Sequence, residues 1–330
     1  MIFIRHITQS LCLLLTFGLA SSTFGWDATS HRLSAYVAWE ALAPNQREQL
    51  SAILEKHPRY QSDFLDVMPA NVMLAGEQEQ ARWLFGQAAI WPDLTRSFEG
   101  DDLVRYNRPT WHYIDGAWIR GNAQQGNVYV GAEPLPSIHG ESSAPIEHEA
   151  DVRNVVQGIE YNLEVLQHPL SNSRERALAL CWVLHLIGDI HQPLHSGALV
   201  SSELFVNGDR GGNGILTQAG NLHSRWDSAL RNQPFEDTLR RMNSFVRQSN
   251  LAQIDMEVDT WLQESRQIMY EFVYPDEIKA AVLRSERLDT ELSEFNLDDD
   301  YVGEMQAISE DRVTLAGIRL SIALRRALNH

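Results

Sequence analysis

Residues 177–195 read ALALCWVLHLIGDIHQPLH, an apolar run with helical spacing that delivers three histidines and an aspartate near its end. His185 and Asp189 stand four apart, so on a helix they project from one face with roughly 5–6 Å between Cβ atoms, and two ligands can meet one ion there. Pro193 disfavours helix at Gln192 and predicts a stop near His191, letting His195 return to the same place from non-helical backbone. The segment NLHSRWD, residues 221–227, repeats the spacing with His223 and Asp227. Imidazole and carboxylate without thiolate suit zinc. Asp93 in IWPDLTR, His112 in WHYID and His31 near the start add three more donors of the same kind.

Working outward, helical periodicity dominates the chain. Leu33, Val37 and Leu42 follow a cap expected at Thr29 or Ser30, and Val152, Val155, Val156, Ile159, Leu163 and Leu166 make an apolar stripe. Further helices are expected over 45–56, 78–90, 174–190, 222–232, 255–273, 276–294 and 308–328. Strand signals are weak, with one hairpin expected near 116–132, inside a surface excursion spanning 116–148. No Ser/Gly tract, Pro-rich run, block of like charge or short repeat divides the chain, so one folding unit is expected.

Residues 1–25 are of another character: MIFIRH is a basic start, ITQSLCLLLTFGLA an apolar stretch too short to span a bilayer, and SSTFG a small-residue exit. This is the pattern of a secretory signal peptide, with cleavage expected before Trp26 and an exported product, periplasmic or secreted. Cys181 is then the one remaining cysteine, so no intrachain disulfide can form, and its apolar setting marks it as a buried small hydrophobe. The formal charge of −17, or −18 once Arg5 is removed with the leader, repels polyanions at long range and excludes a duplex-coating binder. Nucleic-acid chemistry here requires local positive charge, which metal ions supply.

The spacing from Trp26 to His31, then Asp93, His112, HLIGDIHQPLH and NLHSRWD, resembles that of the S1/P1 nuclease family of zinc-dependent single-strand nucleases. The C-terminal LAGIRLSIALRRALN is similar too, so the resemblance runs from Trp26 to the end of the chain. It implies a mainly α, single-domain, multi-helix fold of the phospholipase C/P1 nuclease type around a trinuclear zinc cleft, in a catalytic domain over 26–330. By the same resemblance one zinc takes Asp93, His112, His185 and Asp189, and a second takes His195, His223 and Asp227. The third takes the amino nitrogen and carbonyl oxygen of Trp26 with His31 and Asp189, which makes Asp189 a bridge and a catalytic residue.

The expected substrates are single-stranded nucleic acids or nucleotides, cleaved to 5′-phosphate products; base preference and any 3′-nucleotidase activity stay open. Neither a stable membrane association nor an obligate protein partner is expected. Arg96, one turn beyond Asp93, is the cation best placed to assist the transition state, its alternative being an ion pair with Asp115. Tyr113 and Asp115 beside His112 are expected to form a base pocket by stacking and hydrogen bonding. Asn213 in the Gly-rich turn GDRGGN is a candidate phosphate contact, with an ordinary turn as the alternative. His191 is expected in a supporting role, while His57, His139, His168 and His330 read as surface residues and His148 with Asp151 as a solvated pair. Two other readings compete. A zinc-dependent phospholipase C resembles this arrangement but typically has Glu at the position of Asp227 and a longer gap from its N-terminal Trp to the first His. A secreted helical protein merely stabilised by metal is the other, and it fits poorly because structural zinc sites are closed and isolated.

Overall fold

The computed structural model describes residues 25–114, 126–131, 146 and 148–329. These form twelve α-helices: α1 Ala28–Ala41, α2 Pro44–Leu54, α3 Ala70–Met73, α4 Glu77–Leu94, α5 Gly100–Tyr106, α6 Val155–Gln167, α7 Ser173–Asp189, α8 Leu222–Asp227, α9 Phe235–Gln248, α10 Val258–Ile268, α11 Asp276–Leu288 and α12 Asp299–Leu328. The mainly α expectation therefore holds. No helix among the described residues is long and apolar enough to cross a membrane.

Helix α7 is central because nearly every side chain from Ala177 onward is apolar or a site residue, and from Ala179 to Asp189 all are buried. It begins with a reciprocal cap, Asn172 accepting from the backbone of Arg174 and Glu175, and ends at Asp189, two residues sooner than Pro193 alone predicts. Helices α1, α4, α6 and α12 pack around it and close the main core of Trp39, Phe85, Trp91, Trp111 and Trp182. Close approach has required small residues: a Cβ at Gly188 would stand 2.8 Å from Nδ1 of His31, so α7 can bring its C-terminal end against α1 only with glycine there. The leader residues 1–24 and the segment carrying Asp115 and His139 lie outside the described residues, as does His330.

Several local expectations are corrected. Asp27, not Thr29 or Ser30, caps α1, its Oδ1 accepting from both of their backbone N–H groups. The described part of 116–132 is no hairpin: β1 Val128–Val130 pairs in parallel with the distant β2 Leu199–Ser201. The only antiparallel pair among the described residues is β3 Leu216–Thr217 with β4 Gly220–Asn221. Helix α9 was not expected; of its fourteen residues Thr238, Leu239 and Met242 are buried, Phe235 and Val246 pack partly buried beside them, and most of the others are charged or polar. Helix α12 starts at Asp299, nine residues earlier than the apolar pattern of 308–328 shows, because its first turns are acidic and capped by Asp298.

Beneath the end of α7 lies a buried ionic network. Arg319 donates to both oxygens of Glu264 at 2.6 and 2.7 Å and to Nε2 of His191 at 2.8 Å. Arg312 donates to Glu264 at 2.7 Å and to the His191 carbonyl at 3.3 Å. His191 donates Nδ1–H to Ile187, so it is a brace between α12 and the α7 turn.

His57 is not a surface residue: it is buried against Phe64 and Trp91 and accepts from the Arg59 backbone at 3.2 Å. Burial, aided by Arg59 and opposed by Asp63, pushes its imidazole down to about 3. The unfolded value lies near 6.5, so its contribution to stability is complete above that pH and is lost as pH falls toward 3. Replacing His57 by Gln should remove about 2–3 kcal/mol of the wild-type stability loss between pH 6 and pH 4. Denaturant titrations at the two pH values measure this, and an unchanged pH slope would contradict it.

Candidate metal centre

The donors expected from sequence come together at the end of α7 from six separate segments. Three groups have their ligand atoms within 4.8 Å of one another: His31, His185 and Asp189; Asp93, His112 and His185; and His195, His223 and Asp227. His185 thus faces two groups rather than one, and its ring stacks on His31 with centroids 3.9 Å apart.

The spacing suits coordination. Donors bound to one tetrahedral zinc at 2.0–2.1 Å stand roughly 3.3–3.4 Å from each other. Here Nδ1 of His112 lies 2.9 Å from Nε2 of His185, and Oδ2 of Asp189 lies 3.0 and 3.1 Å from those atoms. Oδ1 of Asp93 is 3.8 and 3.7 Å from the same two nitrogens. Asp189 is fully buried and its oxygens look two ways: Oδ2 faces His112 and His185, while Oδ1 lies 3.4 Å from His31 and 3.6 Å from His195. On α8, Nε2 of His223 lies 3.3 Å from Oδ2 of Asp227.

In three of the imidazoles the second nitrogen explains the ring orientation. Nδ1–H of His185 donates to the Ala89 carbonyl at 2.8 Å, that of His195 to the His112 carbonyl at 2.6 Å, and that of His223 to the Gly211 carbonyl at 2.6 Å. Fixing Nδ1 as donor leaves the Nε2 lone pair for a metal. Asp227 is held in the same way, accepting from Gln192 at 2.7 Å.

The charge balance also calls for cations. Burial dominates the titration of Asp227 and, joined by repulsion from Asp189 and Asp93, raises it well above the carboxylate range. Burial opposes ionisation of Asp189 too, but His185 and His195 outweigh it and hold its carboxyl well below that range. Burial lowers His112 to about 4 and His195 to about 3. The imidazoles of His31, His112 and His195 therefore stay neutral beside the carboxylates, whereas for His185 burial is outweighed by Asp189 and Asp93, which raise it, and Arg96 pairs with Asp93; both ring nitrogens of His31, Nε2 of His112 and Oδ1 of Asp189 are buried without hydrogen-bond partners. Orphaned donor atoms of this chemistry fit zinc.

The N-terminal side approaches the same atoms. Trp26 is buried, the Asp27 N–H donates to the Asp227 carbonyl at 3.0 Å, and a Cβ at Gly25 would collide with Oδ1 of Asp189. Two chambers flank the cluster and share Arg96, Asn213 and His223. The smaller, about 360 Å³, includes Tyr113, whose exposure of 41% leaves its ring accessible. Arg96 pairs through Nε with Oδ1 of Asp93 at 3.2 Å. Its alternative partner Asp115 lies outside the described residues. Asn213 donates to the Arg210 carbonyl and accepts from Asn221, which fixes its amide at both ends. His168 is exposed as expected, and Asp151 accepts from the backbone of His148 rather than from its ring.

Sequence reasoning missed Gln192 and the function of Asp209. Buried Asp209 accepts from the Leu199 N–H at 3.0 Å and the Tyr274 hydroxyl at 2.8 Å, and so pins the loop whose Gly211 carbonyl orients His223. Gly211 adopts φ 58°, and a Cβ there would strike the Leu194 carbonyl. Gly211→Ala should therefore cost about 1–3 kcal/mol and shift the His223 Nδ1–H resonance. Thermal melts and imidazole NMR read the two effects; an unmoved resonance would reject this loop as the source of the His223 orientation.

The S1/P1 Nuclease family model matches residues 26–329. Among curated proteins the chain is similar to Nuclease S1 of Aspergillus oryzae (strain ATCC 42149 / RIB 40), 27% identical over 223 residues, 65% of this chain and 58% of the relative. It is 36% identical over 161 residues to Endonuclease 4 of Arabidopsis thaliana, 45% of this chain and 50% of the relative. Endonuclease 2 of Arabidopsis thaliana is 29% identical over 157 residues, 45% of this chain and 51% of the relative. The matched stretches thus span between half and three-fifths of these relatives.

Proposed function

The chain belongs to the S1/P1 nuclease family, and from that premise we propose that it is an exported, zinc-dependent nuclease hydrolysing phosphodiester bonds of single-stranded DNA or RNA to 5′-phosphate products. The observation that carries this reading is the convergence of three His/Asp donor groups around buried Asp189, with Asp93, His112, His195, His223 and Asp227 lining the two adjoining chambers. His31, Asp93, His112, His185, Asp189, His195, His223 and Asp227, with the backbone of Trp26, would hold three zinc ions per chain. Zinc bound there supplies water of lowered pKa and neutralises charge on phosphate and leaving oxygens.

The chain's own residues do the rest. Arg96 is turned toward Asp93 and borders both chambers, so its guanidinium can meet a non-bridging phosphoryl oxygen at the cluster. Tyr113 offers a ring on which one base stacks, with Asp115 as its proposed hydrogen-bonding companion and Asn213 as a polar contact at the junction of the chambers. A paired base would have to unstack to enter, at a cost of a few kcal/mol, which gives a physical basis for single-strand preference.

Chelation should abolish cleavage of single-stranded DNA and RNA, and zinc should restore it; full activity after exhaustive zinc removal would reject the proposal. Asp189→Asn should lower zinc content and rate more than His31→Ala, because the two oxygens of Asp189 face donors on both sides. Metal analysis retaining three zinc ions in Asp189→Asn would rule out the bridge. Tyr113→Ala should weaken single-strand binding by about 1–3 kcal/mol with zinc content unchanged. Equal cleavage of single strand and duplex by the wild type would exclude the base pocket. A Met-Gly extension before Trp26 should give folded protein with fewer than three zinc ions and little activity, since an acylated nitrogen cannot replace a free amine. Trimming should recover both, and full activity in the extended form would refute N-terminal ligation.

A further inference from the structure

The larger chamber, about 610 Å³, shares Arg96, Asn213 and His223 with the Tyr113 chamber and is also bordered by Asp93 and Asp227, but the rest of its wall has no role assigned so far. Its walls combine an apolar surface of Ala28, Ile90, Leu94 and Ala219 with two arginines, Arg225 and Arg231. Arg225 stands on α8 between His223 and Asp227, and its Nε is buried without a hydrogen-bond partner. Arg231 commits its Nε to Asp27 at 2.8 Å, yet 61% of its side chain is exposed. Asp27 is in turn absorbed, because one oxygen caps α1 and the other takes Arg231. The chamber is lined by three arginines, Arg96, Arg225 and Arg231, against three aspartates, but Asp93 and Asp227 belong to the donor groups and Asp27 is taken by α1 and Arg231, which leaves Arg225 and the exposed part of Arg231 beside the apolar wall.

We infer that this chamber is a second nucleotide subsite, where the nucleotide across the cleaved bond from the Tyr113 pocket lays its base against Ile90 and Leu94 and sets its flanking phosphate on Arg225 and Arg231. The inference rests on the nuclease reading above. Both chambers are needed for a strand to cross the cluster, and the shared Arg96 and His223 place the cleaved bond between them. An arginine without a partner gains most from a phosphate, since charge-assisted hydrogen bonds replace an unmet donor.

Trinucleotides carrying a methylphosphonate at one of the two linkages test this, because only the other bond is cut and the flanking charge is removed without changing chain length. In the zinc-loaded wild type, neutralising the linkage on one side should lower kcat/KM at the remaining bond about tenfold relative to the same bond in the all-phosphate trinucleotide. Arg225→Gln and Arg231→Gln should each reduce that penalty to about twofold or less. Binding of a non-cleavable phosphorothioate single strand, followed against salt, should lose about 0.7 from its log–log slope in either variant. A wild type with no penalty at either linkage, or variants that keep the full penalty and slope, would overturn the subsite while leaving the nuclease reading intact. No cleavage of any single strand by the zinc-loaded wild type would overturn both. Using two variants guards against loss of the Arg231–Asp27 contact weakening the N-terminus of α1.

Discussion

Everything around the cleft answers to one constraint: Asp189 is a fully buried carboxylate at the last residue of α7. The helix C-terminus adds its own negative potential, so the two effects together make this an unfavourable place for a lone anion. Imidazoles surround it from α1, α7 and the segments ending in His112 and His195, and most of them are neutral because burial suppresses protonation. A site that gathers so many imidazole and carboxylate lone pairs around one buried anion is organised for metal. Its supporting contacts are no less specific than its donors, since Ala89, His112 and Gly211 each offer a carbonyl to a different ring.

That organisation ties ligand geometry to helix packing. His185 is oriented by α4 through Ala89, and His31 is admitted to the cluster by the absence of a side chain at Gly188. His223 depends on a loop fixed by Asp209, which is itself held by Tyr274 in a separate apolar cluster. Small displacements of any of these elements alter donor distances directly, so the core around α7 and the chemistry at its end are one mechanical unit.

The motifs were legible because helical spacing is local: His185 with Asp189 and His223 with Asp227 need only a regular turn to share a face. The apolar stripes of α6 and α7 likewise announced their helices. What escaped was set by contacts distant in sequence. The carbonyl partners of the rings lie 12 to 96 residues away, and nothing in GDRGGN shows that Gly211 serves His223 or that Asp209 bonds Tyr274. His57 read as a surface residue because no local pattern reveals that Phe64 and Trp91 close over it. Helix α9 was overlooked although Phe235, Leu239, Met242 and Val246 keep helical spacing toward the core, because charged and polar residues dominate the stretch around them.

The network under His191 bears on when the site can exist. Arg312 and Arg319 belong to α12, the final helix of the described chain, yet they hold the turn that carries the chain from Asp189 to His195. The same helix packs on α1 through Gly317, where a Cβ would stand 2.6 Å from Val37. A nascent polypeptide therefore carries every His and Asp donor of the cluster, the last being Asp227, before it owns the guanidinium groups that brace them. Assembly of the cleft waits for α12, and a ribosome-bound precursor stays without a finished centre until that helix emerges.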